Sequence, residues 1–350
     1  MMKQAPRNRG SVTIKDVAKK AGTSIATVSY VFSNEERYLR PELRERVLQA
    51  AAEIGYVKNA AASSLKGKRR GILAVVVAQF GNTFFTRMCV EIVSIARQEG
   101  YVVTLCNSDE DLQQERLILE RLIAQRIDGC ILCPAFSRSD NVELLRKHNV
   151  PFVVLERSLE QEAPEYSFVG HDNFQSGYLA TKTLLLAGHR KVAFLGWDAP
   201  IPNVRERVDG YSQAMQEHGL PESEQCVLLD ELSMDAGRRM AEKLNTDKIT
   251  AVVLGHHESA KGVLLYFQEK GVIWPERISV VLIGTPEWTE MLRPSLTCVK
   301  RPEQEMGKAA AQALLARMNE SQQGVRSQVF SCTLRQGDSI AVIKQEGEKS

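Results

Sequence analysis

From residue 13 onward, apolar positions recur every three or four residues. Ile14, Val17, Ala18 and Ala21 fall at i, i+3, i+4 and i+7, one face of a helix. Thr13 followed by Asp16 is the Ser/Thr-x-x-Asp/Glu start of a capped helix, and Gly22 ends it. Ser24 can cap a second helix, in which Val28, Val31 and Phe32 face inward. Its opposite face, Ala26, Ser29, Tyr30 and Ser33, has no apolar stripe to bury. After a polar loop, Asn34 to Arg40, Pro41 opens a third helix with Leu43, Val47, Ala51 and Ile54 inward and Gly55 at its stop. The pattern predicts three short helices, with a tight glycine turn between the first two.

The small, alanine-rich stretch Asn59 to Leu65 and the basic run Lys66 to Arg70 have the composition of a linker that could become helical in the right setting. Beyond Gly71 the period changes. Apolar, β-rich runs at Ile72–Val77, Val102–Leu105, Gly129–Leu132, Phe152–Leu155, Val192–Leu195, Ala251–Leu254 and Ser279–Ile283 alternate with helical stretches. Such alternation predicts parallel sheets wrapped by helices. Its length favours two similar α/β lobes over one open sheet. The expected organisation is a disordered arm over 1–10, a helix-turn-helix head over 11–57, a hinge or linker over 58–70, a two-lobed body over 71–344 and a polar tail over 345–350.

Charge sharpens this picture. The 350-residue chain has a formal net charge of +2. Residues 1–70 hold 15 Lys and Arg against 6 Asp and Glu, a net of +9, which leaves −7 on the rest. A basic head on an acidic body is the layout of a protein that touches a polyanion at one end. Seven cysteines at 89, 106, 130, 133, 226, 298 and 332 show no framework spacing, which fits a reducing compartment. Cys130 and Cys133 have metal-ligand spacing, but in a strand they point to opposite faces. The basic N-terminus has no apolar core behind it, and no stretch reaches the roughly 18 apolar residues of a membrane span, so a cytoplasmic protein is expected. Phosphate loop, Gly-x-Ser-x-Gly elbow and paired carboxylates are absent from the sequence, so no enzyme, cofactor or metal is expected.

Helix, glycine turn, helix is the geometry that lays a second helix in the major groove. Thr13 to Ser29, Arg44 to Tyr56 and Asn59 to Ala62 closely resemble the head of the LacI/GalR (lac-repressor) family of bacterial transcription regulators. Asn82-Thr-Phe-Phe85, Asp109-Glu-Asp111, Arg126 to Gly129, Val169 to Asn173, Gly188 to Gly196, Arg205 to Gly210 and Glu305-Met-Gly307 resemble that family's body, in order. The resemblance implies DNA contacts from Thr13, Ile14, Ser24, Ile25, Ala26, Thr27, Ser29, Tyr30 and Ser33. Thr27 and Ser29 would meet the DNA backbone, while Ile25, Ala26 and Tyr30 would choose the operator. Tyr30 stands where the family usually has an arginine able to read guanine bidentately, so the usual operator is not expected. Tyr30 could instead pack on a phosphate or a thymine methyl. In the implied hinge helix Asn59, Ala62 and Leu65 approach the minor groove, with Leu65 as the wedge. Lys58 and Ser63 replace the usual proline and arginine there, and Leu65 packing against the body is the alternative.

The resemblance further implies a body like the periplasmic sugar-binding proteins, with a small molecule held between lobes by Asn82, Phe84, Phe85, Glu156, Arg157, Asp172, Arg205, His256 and His257. Arg205, at a helix start, is the foremost of these. His256-His257 and Gly284 depart from the family's Asn-Asp and aspartate, pointing to a more negative ligand or to a pocket that no longer binds one. The implied function is a dimeric, possibly larger, DNA-binding regulator, expected to be a repressor. It would hold a pseudo-palindromic operator and answer to a sugar, sugar acid or sugar phosphate. An architectural DNA-binding protein with a vestigial pocket is the alternative.

Overall fold

The computed structural model describes residues 12–32, 39–57, 69–137, 140–159, 166–319 and 327–343. Contacts divide the chain into two compact units, one up to Arg70 and one from Gly71 on. The expected arm and tail, and most of the expected hinge, lie outside the described residues.

In the head, α1 (Ile14–Ala21), α2 (Ile25–Phe32) and α3 (Pro41–Glu53) each contribute a fully buried valine, Val17, Val28 and Val47. The start of α1 is fixed by a capping box in which the Thr13 N–H donates to Asp16 Oδ2 at 2.8 Å. Its end is fixed by Gly22, whose φ of 60° is a left-handed conformation that costs glycine nothing. Pro41 occupies the first turn of α3, where its missing N–H would be unsatisfied anyway.

The body holds two six-stranded sheets. The first comprises β1 (Ile72–Val77), β2 (Val102–Asn107), β3 (Gly129–Leu132), β4 (Phe152–Leu155), β5 (Ser167–His171) and a late strand β11 (Ser327–Phe330), in the order β11-β5-β4-β3-β1-β2, all parallel. The second comprises β6 (Val192–Trp197), β7 (Cys226–Asp230), β8 (Ala251–Leu254), β9 (Ser279–Ile283), β10 (Thr297–Lys300) and β12 (Thr333–Arg335), in the order β12-β10-β9-β8-β6-β7. Only the β10–β12 pair is antiparallel there. Central strands β3, β4, β8 and β9 are buried along their whole length, as parallel strands covered on both faces must be.

Helices α4 (Thr83–Gln98), α5 (Leu112–Ala124) and α6 (Val142–Lys147) follow strands of the first sheet. Helices α7 (Asn173–Leu186), α8 (Pro202–Glu217), α9 (Met234–Lys243) and α10 (His257–Glu269) cover the second, and α11 (Glu303–Asn319) returns to pack on α4 and β5. The chain therefore passes between lobes after β5, β10 and β11, the architecture of a hinged pair of lobes. One crossing of helices positions the site. A Cβ at Gly177 of α7 would sit 2.0 Å from the Arg207 carbonyl oxygen, and one at Gly210 of α8 would sit 2.1 Å from that of Phe174. Two glycines thus let α7 and α8 touch backbone to backbone.

The sequence pattern missed β5, β7, β10, β11 and β12. β5 reads Ser-Phe-Val-Gly-His, and the exposed β11 reads Ser-Gln-Val-Phe, neither a continuous apolar run. Their pairing comes from neighbouring strands rather than local propensity. Cys130 and Cys133 are buried in two clusters on opposite sides of the first sheet, and burial pushes both thiols far up from their ordinary pKa.

Candidate functional site

The head presents a solvent-facing surface at the start of α2. Ser24 Oγ accepts from the Thr27 N–H at 3.1 Å and lies 2.9 Å from Thr27 Oγ1. Ser24 is therefore the helix cap, and the Thr27 hydroxyl is already engaged with it. Ile25 is 46% exposed although apolar, and Ala26 and Ser29 are exposed beside it, while Tyr30 is half-buried. These are the side chains α2 offers to solvent. Thr13 is tied into the capping box, its hydroxyl donating to Asp16 at 2.7 Å, and Ile14 packs against the helical core. The Thr13 hydrogen bond also holds the Asp16 carboxyl below its ordinary range. Ser33, Asn59, Ala62 and Leu65 lie outside the described residues.

In the body, polar side chains from both lobes converge. Glu156 follows β4 with a left-handed φ of 66°, which turns its side chain off the strand. His171 Nδ1, at the end of β5, lies 2.8 Å from Glu156 Oε2, and Asn203 of α8 donates to Glu156 Oε1 at 2.9 Å. Burial pushes the Glu156 carboxyl up, but His171, Arg207 and Arg301 outweigh it and leave it low. Burial holds the His171 imidazole below its ordinary value against the raising effect of Glu156. The pair is thus an ionised Glu156 accepting from a neutral His171, whose Nε2 is buried with no partner among the described residues.

Arg207 of α8 is 8% exposed. Its Nε donates to Asn173 Oδ1 at 2.9 Å and its Nη1 to the Gly255 carbonyl at 3.1 Å. Burial, then the charge of Arg301, pushes its pKa down to about 10. Arg301, just after β10, stacks with its guanidinium carbon 3.9 Å from the Phe84 ring centroid. His256 caps α10 by accepting from the Glu258 N–H at 3.2 Å, and its ring stacks on His257 at 4.4 Å. Burial first, then the neighbouring His257 and arginines, holds His256 well below its ordinary value, so the stacked rings are neutral.

Several expected residues play other parts. Arg205 is exposed and, with Leu112 and Phe136 of the first lobe and the segment Ala199 to Pro202 of the second, lines a cavity of about 610 Å³. The buried arginine at this helix start is Arg207, which shares the inward face of α8 with Asn203, Val204, Gly210, Tyr211, Ala214 and Met215. Arg157 is consumed by Glu110, at 2.5 and 2.8 Å, and by the Ala135 carbonyl at 2.9 Å, so it braces the wall of the cleft. Asp172 caps α7 through the Gln175 N–H, and the neighbouring Asn173 reaches Arg207 instead. Asn82 caps α4 through the Phe84 N–H, and Phe84 and Phe85 are both buried in the core of the first lobe, with Phe84 lying under the Arg301 guanidinium. The sequence reading missed His171, Asn173, Asn203, Arg207 and Arg301. For Asn203 and Arg207 the signal existed, an i, i+4 spacing in register with Gly210 at i+7. Among the described residues no group of three or more His, Cys, Asp or Glu could hold a metal ion, and no helix is long and apolar enough to cross a membrane.

Residues 13–59 match the family described as bacterial regulatory proteins, lacI family. Residues 70–336 match the periplasmic binding proteins and sugar binding domain of the LacI family. The chain is 31% identical to the catabolite control protein A of Priestia megaterium, over 89% of this chain and 93% of that one. It is 30% identical to the transcriptional repressor PurR of Vibrio vulnificus, over 90% and 94% of the two chains. The fold superposes on the lac repressor dimer bound to operator and the anti-inducer ONPF with a TM-score of 0.82 at 23% identity, covering 95% of this chain and 99% of that one.

Proposed function

The chain belongs to the LacI family of bacterial regulatory proteins, and from that premise we propose a cytoplasmic, non-catalytic repressor that binds a pseudo-palindromic operator as a dimer and answers to a small carbohydrate-like metabolite in the inter-lobe cleft. The observation that carries the effector half is the cluster at the cleft. Glu156, His171 and Phe84 come from the first lobe, Asn173, Asn203, Arg207 and His256 from the second, and Arg301 from a crossing between them. A ligand hydrogen-bonded to both walls favours one lobe angle over others, and a ligand acts only through such differential affinity. Shifting a two-state equilibrium from 1:99 to 99:1 takes about 5.5 kcal/mol. Hydrogen bonds to charged groups contribute roughly 1.5–3 kcal/mol each, so two to four contacts made in only one lobe arrangement suffice.

The DNA half is supported by the net +9 of residues 1–70 and by the exposed Ile25, Ala26 and Ser29 on α2. Exposed side chains at the start of a second helix are placed to read base edges, while the basic surroundings engage phosphates. Fluorescence anisotropy with operator DNA tests the reading. The full chain should bind with an affinity that falls steeply as salt rises, since phosphate contacts release counterions. A fragment of residues 71–350 that bound operator as tightly as the full chain would refute it. An operator affinity that no metabolite changes would favour a vestigial pocket.

A further inference from the structure

We infer that the cleft takes a small polyol carrying an anionic group, a carboxylate or a phosphate, held between Arg207 and Arg301; this deepens the effector reading of the same cleft and rests on it. Arg301 is 5% exposed, yet makes no hydrogen bond among the described residues, and its Nε is buried and unpartnered. The nearest carboxylate oxygen, Glu303 Oε1, is 3.9 Å from that Nε, beyond hydrogen-bond range, and Arg87 approaches the same oxygen at 4.0 Å. Arg207 satisfies Nε and Nη1 but leaves Nη2 without a hydrogen bond. Glu156 has one oxygen on His171 at 2.8 Å and one on Asn203 at 2.9 Å. The cleft therefore holds guanidinium N–H donors on Arg301 and on Arg207 Nη2 that no carboxylate of the described residues meets within hydrogen-bond distance. Desolvating a charge is costly unless it is paired and hydrogen-bonded, so the missing partner is an oxyanion.

Position 284 supplies an independent argument. A glycine stands there with a φ of 111°, where the family resemblance leads one to expect an aspartate, and a Cβ built on it would lie 3.2 Å from Arg301 Nη2. The guanidinium thus lies beside a position that carries no side chain, and a buried cation there suits a more negative ligand. The guanidinium over the Phe84 ring is a planar fork of donors, a shape suited to the two oxygens of a carboxylate or phosphate. The neutral His171, with an unpartnered Nε2, remains to accept from a hydroxyl of the same ligand.

Calorimetry and thermal shift on the full chain test this with matched pairs: galactose against galacturonate, glucose against gluconate, and glucose against glucose 6-phosphate. At least one charged member should bind tenfold or more tighter than its neutral parent, and Arg301→Gln should abolish that preference. Arg301→Lys, which keeps the charge without the fork, should retain part of it. Preference in the carboxylate pairs alone identifies a sugar acid, and preference in the phosphate pair alone a sugar phosphate. If Arg301→Gln does not fold, the preference of the parent between charged and neutral members decides. Neutral sugars binding as tightly as their charged counterparts would overturn the anion and leave the effector reading standing. An operator affinity that neither set alters, with neither set bound, would overturn both.

Discussion

Replacing Arg207 by Met separates the two arginines at the start of α8. The substitution keeps an unbranched stem of similar length and removes the guanidinium. Two hydrogen bonds vanish, leaving Asn173 Oδ1 and the Gly255 carbonyl without that donor, at roughly 1–3 kcal/mol each. Against this, a buried charge is relieved. Burial and Arg301 have pushed the Arg207 pKa from 12.5 to about 10, which corresponds to about 3 kcal/mol at 1.36 kcal/mol per unit. The opposing contributions partly cancel, so the variant should fold with a stability no more than about 3 kcal/mol below the parent. Its response to effector should not survive so well. Losing one charged partner of a ligand costs about 1.5–3 kcal/mol, roughly 10- to 150-fold in affinity. Arg205, by contrast, is exposed and makes no hydrogen bond among the described residues, so Arg205→Ala should stay within about 0.5 kcal/mol in stability. The assay is operator release followed by anisotropy as the metabolite found by thermal-shift screening is titrated. Arg207→Met should move the midpoint at least tenfold, and Arg205→Ala should move it little. The reverse ranking would refute the placement of Arg207 at the ligand.

Buried His171, His256 and His257 all have lowered pKa values, so below about 6.5 the unfolded chain binds more protons than the folded one; stability is full above that pH and falls as pH drops toward 5, by at most about 1.4 kcal/mol per pH unit per histidine. His256→Asn retains a good helix cap and should flatten the urea midpoint against pH between 6.5 and 5, whereas an unchanged slope would mean that His256 does not titrate there. Gly177→Ala would drive a Cβ to 2.0 Å from the Arg207 carbonyl, so it should cost about 1–3 kcal/mol or more by chemical denaturation and weaken the effector response by shifting α8. Tyr30→Arg gives α2 a side chain able to read guanine bidentately, so selection from randomised DNA should change its preferred base at one position per half-site; an identical selected sequence would remove Tyr30 from base reading.

The head was legible almost residue by residue because its determinants are local. Thr13 and Asp16 are three positions apart, Gly22 and Pro41 act through their own φ, and the apolar period shows which face is inward. The lobes were legible where strands are buried on both faces, as in β3, β4, β8 and β9, since such strands must be continuously apolar. Edge and late strands were not. β11 lies between the return of the chain through α11 and the crossing to β12, and its residues become a strand only because β5 offers a parallel partner, pairing Ser327 with Phe168 through Phe330 with His171.

The cleft divides along the same physical line. Arg205 was named for its place at a helix start and its match to a motif, and helix geometry makes Arg207 the buried one. Positions 203, 207 and 210 fall on one face of α8, and 205 lies about 160° from 207 at 100° per residue. Applying the period first would have found the buried arginine. Arg301 is a different case, because nothing near it in sequence marks it as a site residue. It becomes one through partners 217 positions earlier, at Phe84, and 17 positions earlier, at Gly284, brought together by the strands β1, β9 and β10. A side chain defined by an aromatic floor and by a missing carboxylate is a property of the assembled cleft. That is why the departure at 284 could be read from the chain, while the cation set against it could not.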